Sequence, residues 1–110
     1  MSYRVVITEP ALAAIREQAF YIAVDQQAPE AAARWLRGVF DASDTLSEMP
    51  RRCARAPEDA KRPYEIRWLG VGSFVLLFTI VDETKTVWVI AARHSRREPR
   101  PDELPPGVEG

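Results

Sequence analysis

Arginine is the residue type in this chain best placed to do chemistry, with one histidine beside it. Arg67 stands within an apolar, strand-prone segment, and Arg93, His94, Arg96 and Arg97 close another. Guanidinium forks bind phosphate or carboxylate oxygens and stabilise developing negative charge, but their very high pKa makes them poor general bases. His94 can exchange a proton near neutrality or serve as a structural donor between its arginine neighbours. Other chemistries find no footing. One histidine and one cysteine give no zinc spacing, and neither a glycine-rich phosphate loop nor a serine elbow is present. No metal or cofactor is therefore expected. Cys53 sits in a Pro- and Arg-rich connection and reads as an incidental or structural thiol. A lone thiol fits a reducing, cytoplasmic setting, and no run approaches a membrane span.

The elements that must carry these cations follow from periodicity. Ile66-Arg67-Trp68-Leu69, Phe74 to Ile80, and Val87 to Ala92 are apolar, β-branched and aromatic runs. Gly70-Val71-Gly72-Ser73 and Asp82-Glu83-Thr84-Lys85 separate them, so they predict a three-stranded antiparallel meander. Upstream, Tyr3-Arg4-Val5-Val6-Ile7 predicts a short strand, and Thr8 offers a helix cap with Pro10 in the first turn. Leu12, Ile15, Ala19 and Ile22 recur at helical spacing, with Phe20 and Tyr21 widening the stripe. Pro29-Glu30 opens a second helix whose stripe is Ala32, Trp35, Leu36, Val39, Ala42 and Leu46, ending near Met49-Pro50. Trp35 is expected in the core between helices and sheet.

Charge is segregated along the chain although the net charge is only −1. Residues 1–50 hold four Lys/Arg against seven Asp/Glu, and residues 51–97 hold ten against five. The connection from Pro50 to Pro63 supplies Arg51, Arg52, Arg55, Lys61 and Arg62, which can add general electrostatic attraction. A pI of about 5.8 argues against a simple DNA binder. Residues 1–97 make one domain, with 98–110 a Pro-rich acidic tail unable to fold independently.

Strand, two-helix hairpin, basic connection and meander, in that order, resemble the RelE/ParE superfamily of bacterial type II toxins. The likeness is carried by Tyr3 to Ile7, Leu12 and Ile15, Pro29-Glu30-Ala31-Ala32 leading to Trp35, and Leu46 to Pro50. It continues through Ile66 to Leu69, Gly72 to Phe78, and Val87 to Arg97. The resemblance implies an α+β domain with the helix pair packed on a twisted, mainly antiparallel sheet. It also implies a cytoplasmic bacterial setting, growth inhibition, and a cognate antitoxin that wraps the toxin. Leu12, Ile15, Ile22 and Trp35 are its candidate anchors.

Two activities branch from the resemblance. RelE-type ribosome-dependent mRNA endoribonucleases match Arg67 and the Arg96-Arg97 end, but usually carry a third-strand arginine where Val75 stands here. They often end on a catalytic tyrosine, and no Tyr, His or Lys follows Arg97. The Gly72-Ser73-Phe74 strand start is similar to ParE-type toxins, which inhibit DNA gyrase without cleaving RNA. The resemblance therefore favours a non-enzymatic gyrase inhibitor, with Arg67, Arg93, His94, Arg96 and Arg97 as target-binding candidates. The ribosome-dependent cleaver is the alternative, and a non-toxic, binding-only member is the third reading.

Overall fold

In the computed structural model, which describes residues 2–107, two helices lie across one face of a four-stranded mixed sheet. The strands are β1 (Arg4–Ile7), β2 (Arg67–Val71), β3 (Phe74–Val81) and β4 (Thr86–His94). The helices are α1 (Glu9–Phe20) and α2 (Pro29–Asp44). Sheet order is β1-β4-β3-β2. The meander appears as expected: β2 pairs antiparallel with β3, and β3 with β4. Its first turn is the two-residue Gly72-Ser73, where Gly72 takes φ 60°, a conformation glycine adopts without a Cβ penalty. The N-terminal strand joins at the far edge, parallel to β4, with Val5 opposite Val87 and Ile7 opposite Val89.

Strand alternation gives the sheet two dissimilar faces. The first buries Phe74, Leu76, Phe78, Val87 and Val89 against Ile15, Val39 and Leu46. The second buries Val75, Leu77 and Ile90 under Ala56, Ile66 and Leu104. A bulge lets both faces fill. Leu77 pairs with Ala91 but Phe78 pairs with Val89, so Ile90 is the extra residue and turns, with Ala91, to the second face.

Three local expectations change in the structure. Thr8 does not cap α1 through its side chain; its hydroxyl donates instead to the Val89 carbonyl at 3.0 Å, clamping the helix entry onto β4. Phe20 and Tyr21 do not widen the buried stripe. The chain passes from α1 into a π-helical turn over Tyr21–Asp25, and Phe20, Tyr21 and Val24 are 66%, 45% and 52% exposed. The α-helix of the second stripe stops at Asp44, followed by a 3-10 turn over Thr45–Ser47. Arg52 donates to the carbonyls of Thr45, Glu48 and Met49, tying down the chain just past α2.

The acidic tail docks on the second face of the sheet. Leu104 is buried on the second face, and Arg62 donates to the Pro101 and Leu104 carbonyls, each at 2.8 Å. The Tyr64 hydroxyl donates to the Pro105 carbonyl at 2.5 Å. Burial raises the pKa of that phenol, opposed by the charge of Arg62. The raised folded-state value means its contribution is fully present below the unfolded phenol pKa and is lost as pH rises through the folded one. Alkaline titration above about pH 10 should therefore loosen the tail before the sheet. Hydrogen exchange of residues 101–107 checks this, and Tyr64→Phe should remove the pH dependence.

Candidate functional site

The structure separates the cations that the sequence groups together. Arg67 begins β2 on the helix-covered side, and its guanidinium is turned inward, with side-chain exposure of 16%. It donates to Glu65 at 2.5 Å and to the carbonyls of Cys53 and, at 3.3 Å, Arg51. This residue stitches the basic connection to the edge of the sheet. Arg93 lies on the opposite face. Its guanidinium grips Glu58 at 2.7 and 3.3 Å, and the two side chains are 10% and 1% exposed. Glu58 has no counterpart among the sequence-derived candidates, because a carboxylate in a charged surface-like run carries no mark of burial.

His94 points to the helix-covered face, next in sequence to Arg93 but on the other side of the pleat. Its ring meets Phe74 edge-on at 6.1 Å, and Phe74 in turn meets Trp35 at 5.3 Å. Its Nδ1 accepts the Arg96 backbone N–H at 3.2 Å, so the neutral ring carries its proton on Nε2. Register places His94 opposite Phe74, whereas Arg67 lies opposite Phe78. Four residues along a strand amount to roughly 13 Å, so the imidazole and the Arg67 guanidinium do not share a site. Arg97 bonds Glu103 of the tail, and Arg96 is exposed in the turn after β4. No point on the surface gathers Arg67, Arg93 and His94.

The basic connection is likewise engaged internally. Arg51 forms a two-bond pair with Asp82 at 2.8 and 3.1 Å, and Tyr3 donates to the same carboxylate. The bond from Arg51, then that from Tyr3, holds the Asp82 carboxyl below the usual carboxylate range. Arg55 meets Asp59 and Glu65. Burial pushes the Cys53 thiol up, against the pull of Arg52 and Arg67, which disfavours the reactive thiolate. Among the described residues no group of His, Cys, Asp or Glu could hold a metal ion. Among the same described residues no helix is long and apolar enough to cross a membrane.

The antitoxin candidates divide in the same way. Ile15 is entirely buried under the sheet, which gives it a core role and no free surface. Leu12, Ile22 and Trp35 are half-buried and keep accessible edges. The larger apolar surface is Phe20, Tyr21 and Val24 at the hairpin tip. The π-helical turn that carries Tyr21 and Val24 is not visible in the apolar spacing.

A family model described as the ParE toxin of the type II toxin–antitoxin system parDE matches residues 5–99. The chain belongs to the ParE toxin family. The fold agrees. A chromosomal ParDE system from P. aeruginosa superposes with a TM-score of 0.66 at 17% identity, covering 84% of this chain and 96% of that one. The RelE–RelB complex of Pyrococcus horikoshii OT3 gives 0.56 at 16% identity, covering 89% of this chain and 100% of that one. The RelBE2 toxin–antitoxin complex of Mycobacterium tuberculosis gives 0.54 at 21% identity, covering 86% and 99%. No curated protein matches in sequence. The ParE family match ends at residue 99, before the docked segment around Leu104.

Arg67→Ala tests whether this ParE-family arginine acts on the scaffold. Losing charge-assisted bonds to Glu65 and two carbonyls should cost about 1.5–3 kcal/mol. Urea unfolding measures the loss, and Arg67→Lys should restore little of it, because one ammonium cannot span the same acceptors.

Proposed function

We propose that the protein arrests bacterial growth by binding DNA gyrase in the cytoplasm, without chemistry of its own, and that a cognate antitoxin neutralises it. The observation that carries this reading is the divergence of the strand arginines on a ParE-family scaffold. Phosphodiester cleavage needs charge stabilisation and proton transfer converging on one phosphate. Here Arg67 and Arg93 face opposite sides, each held in an internal ion pair. Val75, at the position where cleavers carry an arginine, is buried on the second face. In this reading Arg67 and Arg93 position the scaffold, and the exposed Arg96, with Arg97 and His94 beside it, meets the target.

Purified protein assayed against gyrase should abolish DNA supercoiling and leave mRNA on translating ribosomes intact. Transcript cleavage with normal supercoiling would establish the ribonuclease reading instead. Unaffected growth of cells making folded protein would mark a binding-only member.

For the antitoxin, the exposed Phe20, Tyr21 and Val24 extend the half-buried Leu12 and Ile22 along the helix hairpin. An amphipathic segment laid there would bury them. A saturating antitoxin peptide should raise the melting temperature, because it binds only the folded chain. The rise should shrink for the double variant Phe20→Asp/Val24→Asp, whose substitutions lie outside the core.

A further inference from the structure

We propose that the groove on the second face of the sheet is a docking site for a short, turn-forming acidic peptide with one apolar anchor, and that residues 101–107 fill it in cis as a built-in competitor. The contacts have the form of peptide recognition. Donors come from the body of the protein and acceptors from the segment: Arg62 to the Pro101 and Leu104 carbonyls, Tyr64 to the Pro105 carbonyl. The segment's own backbone bonds close on itself, from Glu103 N–H to the Arg100 carbonyl and from Leu104 N–H to the Pro101 carbonyl. No ladder joins it to a strand, so side chains hold it. Leu104 supplies the anchor, 6% exposed among Val75, Leu77 and Ile90.

Charge fits the same arrangement. The segment carries Asp102 and Glu103, and Glu103 is held by Arg97 and Arg100 at the rim of a pocket that Arg93 also lines. Occupancy is incomplete. An open cleft of about 470 Å³ remains between Trp88, Ile90, Leu104 and Pro105. The Trp88 indole N–H, which is buried, has no acceptor among the described residues. A longer or differently seated peptide could bring a carbonyl to it. The groove floor lies within the ParE family match and its present cover lies beyond that match, so floor and cover are separable.

A segment tethered beside its own site competes at high effective concentration, and lowers the apparent affinity of any rival by the fraction of time the site is open. The probe is a fluorescent peptide with the sequence of residues 99–107, titrated by anisotropy against full-length protein. Wild type should bind it weakly. Leu104→Asp should bind it about tenfold or more tightly, since burying one leucine is worth at least that factor. Glu103→Lys, which loses only exposed ion pairs to Arg97 and Arg100, should bind it about two- to fivefold more tightly. A peptide with its leucine changed to aspartate should not bind either variant. Glu103 is exposed, so Glu103→Lys gives the reading even if Leu104→Asp fails to fold. Equal affinity for wild type and variants, absence of binding throughout, or preference of the variants for single-stranded oligonucleotide over peptide would each overturn the proposal.

Discussion

Glu58→Ala should lower the unfolding free energy by about 3–5 kcal/mol, a large share of the 5–15 kcal/mol typical of a domain. The cost comes from what remains rather than from what is lost. Arg93 would keep its place on the second face, its side chain only 10% exposed, with no carboxylate to meet it, and the carbonyls of His94 and Arg97 cannot neutralise a charge. Arg93→Ala should be costly for the mirror reason. A double replacement, Glu58→Leu with Arg93→Met, should cost much less than the two single losses summed, because no charge is then stranded. Chemical denaturation of wild type, Glu58→Leu, Arg93→Met and the double variant completes the cycle. Additivity would mean that water reaches the pair and that the ion pair is effectively a surface one.

Phe78→Ala should cost a similar amount, about 3–5 kcal/mol, by a different mechanism. Phe78 is fully buried at the centre of β3, facing Arg67 on one neighbouring strand and Val89 on the other. Its ring belongs to the layer where Ile15, Val39 and Leu46 seat both helices on the sheet. Truncation leaves a cavity that rigid strands cannot close, whereas the tip of the helix hairpin could relax. Phe78→Leu should recover most of the loss, since volume is largely kept. Equilibrium unfolding in urea, with the slope compared across variants, checks both.

Where contacts are local, residue spacing foretold the structure well. The meander and the α2 stripe from Ala32 to Ala42 follow from periodicity, which acts over a few residues. The turn expected over residues 70–73 narrows to Gly72-Ser73, because Gly70 and Val71 pair with Val75 and Phe74. Contacts between distant segments were not legible. Nothing in Tyr3 to Ile7 names β4 as a parallel partner, and nothing around Glu58 announces Arg93, 35 residues away. Periodicity also assumes a uniform helix. Phe20, still within α1, and Tyr21, where a π-helical turn begins, pass from expected stripe to open surface. The arginines were readable as residue types but not as directions, because adjacent positions on β4 face opposite sides of the sheet.

The pairing of Arg4 with Thr86 and Ile7 with Val89 has a consequence for biosynthesis. β1 leaves the ribosome well before β4 and cannot find its place until that partner has followed. Until then the helix pair has no complete surface to rest on, and its apolar side stays open to proteases and chaperones. Such late closure favours all-or-none maturation over stepwise folding, so a prematurely terminated chain should have no folded form with which to do harm.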